Sequence, residues 1–284
     1  MVEIDNVVIR KCSKAEVQKF VRFASQEGWN VGLNDADFLF RFDPDAYMIA
    51  LDGDKIVGTV AAIRYDNDFG FIAYHNVRRD MRGRGIGRRL LNEALDRLGA
   101  RTIGINCSAE QASLYEEFGF VAAHSVLQFE GINGITTLSF PDMVSPFMVP
   151  FDKLLDFNRK IFSYERKEFL NKWLSQPQSL SIAKYVNDEY RGYGMYRPCQ
   201  KGYRIGPLIC NKKETAEELL KCLLGHIPTG TKYYLDIPDK NEDALCLAEK
   251  MMMKKCGEFV RMYLPAVPVS SFENIFGFTV AEIG

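Results

Sequence analysis

The chain has 284 residues, of which 47% are hydrophobic, 12% aromatic and 26% charged, enough apolar material for one large or two ordinary folded domains. Its 36 Lys and Arg against 37 Asp and Glu leave a formal charge of −1, which excludes bulk electrostatic binding of nucleic acid. Seven scattered cysteines with no CxxC pair and only three histidines give no zinc spacing, so no metal is expected, and free thiols fit a reducing compartment.

The amino-terminal stretch MVEIDNVVIRKCSK lacks a signal-peptide apolar core, and no run approaches the roughly 18 apolar residues of a membrane span. The expectation is an intracellular, cytoplasmic protein with no membrane partner, the nucleus remaining open. Residues 3–11 read as a strand. A helix follows in SKAEVQKFVRFASQEG, with Ser13 as its N-cap and Gly28 as its stop. WNVGLNDADFLFRFDP is mixed, a second short helix among loops. AYMIAL, a DGDK turn and VGTVAAIRY form a hairpin, and FIAYHNV is a third strand beyond the DNDFG turn.

RRDMRGRGIGRRLL, Arg78 to Leu91, comes directly after that strand. Ile86, Leu90, Leu91, Ala94, Leu95 and Leu98 mark one helical face, with Arg88, Arg89, Glu93 and Arg97 off it. RTIGIN is a strand, SAEQASLYEEFGF a helix ending near Gly119, and VAAHSVLQF another strand. FPDMVSPFMVPF, residues 140–151, holds three prolines and no period and reads as a linker. The resulting division is residues 1–140 and 151–284.

The second half repeats the first in its order of elements. Gly58 falls on Gly192, Leu90-Leu91 on Leu219-Leu220, RTIGIN on YYLDIP and SLYEEFGF on CLAEKMMM. The copy is degenerate. CNKKETAEE replaces RRDMRGRGIGRR and contains no glycine, and Ala248 stands where Tyr115 stands in the first half.

A strand that enters a glycine-rich turn and then a helix presents backbone N–H groups without internal partners, and the helix dipole favours an anion there. The glycines fall at 83, 85 and 87, so the loop is neither GxxxxGK[ST] nor GxGxxG, but it matches R-x-x-G-x-G at Arg82, Gly85 and Gly87. With LYEEFGF, Leu114 to Phe120, downstream, residues 3–130 resemble the GNAT superfamily of N-acetyltransferases. The second half resembles a degenerate copy of the same fold. The resemblance implies an α/β (α+β) fold, a mixed central sheet flanked by helices, duplicated in tandem.

The resemblance further implies that acetyl-CoA is the cosubstrate, held by Val77, Arg82, Gly83, Arg84, Gly85, Ile86, Gly87, Arg88, Ser108 and Tyr115. Tyr115 matches the family's tyrosine that protonates the leaving thiolate, and a backbone N–H near Val77 matches its oxyanion donor. Strict alternation puts Phe71, Ala73, His75 and Val77 on one face of their strand, and a bulge would change that. His75 is either the base or a structural histidine. Asp66, Asp68 and Glu110 are alternative bases or solvated loop carboxylates. Ser108 stands where the family often has asparagine, with Asn106 two residues earlier. Cys107 reads as packing.

Trp29, Asp35 and Asp37 either line a site for a cationic amine or serve as core and helix caps. The implied reaction acetylates a primary amine, on a small molecule or a protein lysine. The alternative is a non-catalytic protein that binds acyl-CoA or a partner. The sequence leaves the oligomeric state open.

Overall fold

The computed structural model describes residues 6–26, 28–136 and 140–284. The first half runs β1 (Val7–Lys11), α1 (Val17–Gln26), α2 (Asp35–Phe42), β2 (Tyr47–Asp52), β3 (Lys55–Arg64), β4 (Phe69–Val77), α3 (Ile86–Leu98), β5 (Thr102–Cys107), α4 (Ala112–Glu116) and β6 (Val121–Ile132). The second repeats this order as β7 (Met143–Val144), α5 (Phe151–Arg159), α6 (Lys167–Trp173), β8 (Leu180–Val186), β9 (Glu189–Cys199), β10 (Gly202–Cys210), α7 (Lys213–Leu224), β11 (Lys232–Pro238), α8 (Glu242–Lys250) and β12 (Lys254–Leu264). A short β13 (Ile275–Gly277) follows.

Local chemistry explains most of these elements. Ser13 donates its backbone N–H to the Glu16 carboxylate at 3.0 Å, so the turn entering α1 is a capping box. Val17, Phe20, Val21, Phe23 and Ala24 are then buried on one side of α1. In α3 the buried residues are Ile86, Leu90, Leu91, Ala94 and Leu98, the stripe expected from the spacing. The proline-rich stretch is more than a linker. Met143 and Val144 pair with Lys184 and Ala183, giving the second half its edge strand.

All strands but β13 lie in the order β1-β2-β3-β4-β5-β12-β6-β11-β10-β9-β8-β7. Pairing is antiparallel except at β4/β5 and β10/β11. The two halves exchange their last strands: β12 lies between β5 and β6, and β6 lies between β12 and β11. One sheet therefore runs through both copies. On one face α3 covers the first half and α7 with α8 the second, each over its own core. On the other face α1, α2, α5 and α6 share a single core, in which Phe38 of α2 meets Trp173 of α6 at 4.8 Å.

The two parallel pairs part differently. Register between β4 and β5 ends at Ile72–Ile105, and a cavity opens beyond it. Register between β10 and β11 ends at Ile205–Leu235, and there residues 275–279 enter as main chain. β13 pairs with β10, Phe278 N donates to Asp236 O at 2.8 Å, and a Cβ on Gly206 would stand 2.3 Å from Phe278 O. What is open in the first half is filled in the second.

Candidate active site

β4 carries one extra residue. Thr59 of β3 stands opposite Asn76 while Ala61 stands opposite Ala73, and Tyr74 adopts φ +51° with its carbonyl accepting from Thr59 Oγ1 at 2.8 Å. The bulge breaks the strict alternation. Ala73 and Tyr74 both join the core under α1 and α2, and His75 turns to the α3 side instead of sharing a face with Phe71 and Ala73.

There His75 makes two bonds. Nε2 lies 2.9 Å from Gly87 O, and because a carbonyl only accepts, Nε2 carries the proton. Nδ1 is then the acceptor for the Tyr115 hydroxyl at 2.7 Å. Burial lowers the pKa of His75, so the ring is neutral near pH 7, while burial raises that of Tyr115 and keeps the phenol protonated. The pair joins β4, α3 and α4 at one point.

The loop after β4 makes a 3-10 turn, Arg79–Met81, and reaches α3 through Gly83 at φ +76° and Gly85 at φ +79°. Only glycine takes these values without a Cβ clash. Gly87 differs from these two and has no positive φ. It is helical, and a Cβ there would lie 3.6 Å from both His75 Nε2 and Val77 Cγ2, in ordinary van der Waals contact with the pair. Gly85 caps α3 without a side-chain bond, leaving the first N–H groups of the helix to a ligand.

A hollow of about 290 Å³ lies over this helix end, walled by Val77, Arg82, Gly83, Gly85, Ile86, Gly87 and Arg88. Arg84 is not on its wall; its guanidinium donates to Asp80 O at 3.3 Å. Arg82 Nε donates to Val77 O at 2.8 Å and ties the loop to the strand end. The other arginines have local partners too. Arg78 pairs with Asp80, Arg88 with Glu117, and Arg89 donates to Val7 O.

His75 and Asn76 line both this hollow and a second cavity of about 430 Å³ between the parted β4 and β5. Trp29, Tyr74, Ser108, Glu110, Tyr115 and Phe259 are on its wall. Trp29 stacks on Tyr74 with ring centroids 5.5 Å apart. The two aspartates do not join it. Asp35 accepts from Gly32 N and pairs with Arg197, and exposed Asp37 meets Gln18. Asp66 accepts from Asp68 N and Phe69 N and closes the DNDFG turn away from the cavity. Burial pushes the Cys107 thiol up to about 12, in keeping with packing.

Comparisons with known proteins bear on the family and the fold. An acetyltransferase (GNAT) domain profile matches residues 8–136, and a second acetyltransferase (GNAT) domain profile matches residues 154–277. The chain belongs to the GNAT acetyltransferase family, with two such domains in tandem. The family's chemistry is acyl transfer, generally from acyl-CoA. This tandem GNAT protein is 25% identical to the holothin acyltransferase of Pseudoalteromonas sp. (strain SANK 73390) over 276 residues, 97% of this chain and 94% of that one.

Among solved structures, a Pyrococcus horikoshii protein provisionally described as an acetyltransferase superposes with TM-score 0.84 at 20% identity, covering 100% of this chain and 98% of that one. A tandem GNAT protein from the clavulanic acid biosynthesis pathway gives 0.62 at 12%, covering 93% and 100%. At these identities both likenesses concern the fold. The tandem GNAT arrangement also brings in residues the sequence reading missed. Ala281 and Glu282 from the second half, and Phe259 of β12, form part of the cavity wall. No motif marks them, because only strand exchange and the path of residues 278–284 carry them there.

Proposed function

We propose that the protein is an acetyl-CoA-dependent N-acetyltransferase with one reaction centre, in its first half. The observation that supports this most is the continuity of the uncapped α3 terminus with the cavity walled by the His75–Tyr115 pair. Gly83, Gly85, Ile86, Gly87 and Arg88 would hold the pyrophosphate at the helix end, where N–H groups and dipole both favour an anion. Val77 and Arg82 frame that hollow. Ser108 stands on the wall where the rest of the cofactor would pass. Asn76 Nδ2, buried without an acceptor among the described residues, offers a hydrogen bond to a carbonyl oxygen arriving between the strands.

Acetyl-CoA supplies an activated acyl group and a thiolate leaving group. Tyr115 holds a proton for that thiolate, and the neutral His75 orients the phenol, its own tautomer fixed by Gly87 O. Both nitrogens of His75 are thus engaged, which favours a positioning role over abstraction of the amine proton. The second half would hold no acyl-CoA, since residues 275–279 fill its cleft and Ala248 replaces the tyrosine. Acyl transfer by the holothin acyltransferase relative supports a small-molecule amine as the acceptor over a protein lysine.

The test is calorimetric titration with acetyl-CoA followed by thiol release with a panel of primary amines. Wild type should bind in the micromolar range. Gly85→Glu, which puts a side chain at φ +79° and a carboxylate at the anion site, should weaken binding at least about thirtyfold. Tyr115→Phe should keep that affinity within about twofold and lower kcat about 10²–10³-fold. Binding without transfer to any amine would overturn the enzyme reading in favour of an acyl-CoA-binding protein.

A further inference from the structure

Glu282 is carried to the first-half cavity by a chain of specific contacts. Ala281 N donates to Asp236 Oδ2 at 2.8 Å, Asn106 Nδ2 donates to Ala281 O, and Tyr65 OH donates to Ile283 O at 2.7 Å. Glu282 is 9% exposed and on the cavity wall with Trp29, Tyr74 and Phe259. Arg204 of β10 reaches Oε1 at 3.3 Å and also binds Asp236 of β11. Oε2 is buried and has no donor among the described residues.

A buried carboxylate oxygen without a donor is costly, and a ligand that brings a charged N–H relieves that cost. Of the other carboxylates nearby, buried Asp35 and Asp236 are committed to Arg197 and Arg204, and Glu110 on the same cavity wall is exposed to solvent. Burial, with Asp236 adding to it and Arg204 and Arg197 opposing, holds the Glu282 carboxyl above the ordinary carboxylate range. An incoming cation would offset that effect. The stacked Trp29 and Tyr74 rings and Phe259 offer flat apolar walls beside it.

We infer that Glu282, delivered by the second half, is the residue that selects the acceptor, by binding the ammonium of a primary amine carried on a flat apolar group through Oε2. This rests on the transferase reading above for its place in the reaction. There Oε2 takes one proton from the ammonium, and the freed nitrogen lone pair forms the bond to the acetyl carbon. The carbon–sulfur bond breaks, Tyr115 gives its proton to the sulfur, one of the two protons left on nitrogen restores the phenol, and the other stays on the amide. The proton on Glu282 returns to solvent through the cavity.

The experiment titrates the full chain, saturated with coenzyme A, with 2-phenylethylamine and with 2-phenylethanol at pH 7. Wild type should bind the amine at least about tenfold more tightly than the alcohol. Glu282→Gln should abolish the difference while coenzyme A affinity stays within twofold. Glu282→Asp, which keeps the charge one methylene further back, should show a reduced preference and serves if the amide variant does not melt cooperatively. Equal affinities in wild type, no amine binding, or a preference that survives Glu282→Gln would each overturn the inference. Amine preference without acetyl transfer would remove the transferase reading and leave the ammonium site standing. Transfer with kcat/KM unchanged in Glu282→Gln would do the reverse.

Discussion

At the residue scale, one extra residue in β4 decides which way His75 faces. Without the bulge at Tyr74, His75 would point into the shared core and Tyr115 would lose its partner. His124 of β6 is a contrasting histidine. Its two nitrogens are buried between Phe272 and Phe278 without partners among the described residues, and burial first, then Arg261 and Lys240, lower its pKa to about 3. The unfolded chain takes up this proton near pH 6.5 and the folded chain does not. Stability from this residue is therefore intact above about pH 6.5 and declines as pH falls toward 3, by on the order of 2 kcal/mol at pH 5. His124→Phe should flatten that decline in urea titrations run from pH 7 to 5. An unchanged slope would mean that other groups carry it, the likewise depressed His75 among them.

At the scale of elements, α2 is locked to the second half by charge as well as by packing. Asp35 and Arg197 form a two-point pair, 2.9 and 3.1 Å, with side chains 2% and 1% exposed, and the Arg197 guanidinium lies 4.7 Å over Trp173 of α6. Such a pair contributes little compared with an apolar replacement but is costly to break. Arg197→Met should destabilise the protein by about 3–5 kcal/mol, because Asp35 is left charged and buried. Adding Asp35→Asn, which still accepts from Gly32 N, should recover more than half of the loss in thermal or urea unfolding. Additive losses in the double variant would show that the pair acts through packing alone.

For the molecule as a whole, the exchange of β6 and β12 makes each half depend on the other. Without the second half, β5 has no neighbour on its far side, and β6 loses both of its partners, β12 and β11. Without residues 275–284 the first-half cavity also loses Glu282 and part of its wall. Residues 1–140 and 141–284 expressed apart should each fail to melt cooperatively, and the first piece should fail to bind acetyl-CoA. Expressed together they should reassemble and bind it. An isolated first piece with full affinity would overturn this dependence.

The sequence by itself determined the elements and the loop chemistry. Apolar periodicity marks the buried face of α3, Ser13 and Glu16 mark the entry to α1, and Arg82, Gly85 and Gly87 mark the turn before a helix. Each of these signals is local, carried by residues within one or two turns of chain. The duplication was also legible, because the matching elements recur in the same order. Tertiary structure decided the rest: which face His75 takes, where Asp35 finds its counter-ion, which strands the halves exchange, and how Glu282 reaches a cavity walled mainly by the other half. The face of His75 depends on a bulge and on partners 12 to 40 positions away, the others on contacts between residues more than a hundred positions apart, and hydrophobic patterning along the chain carries no record of them.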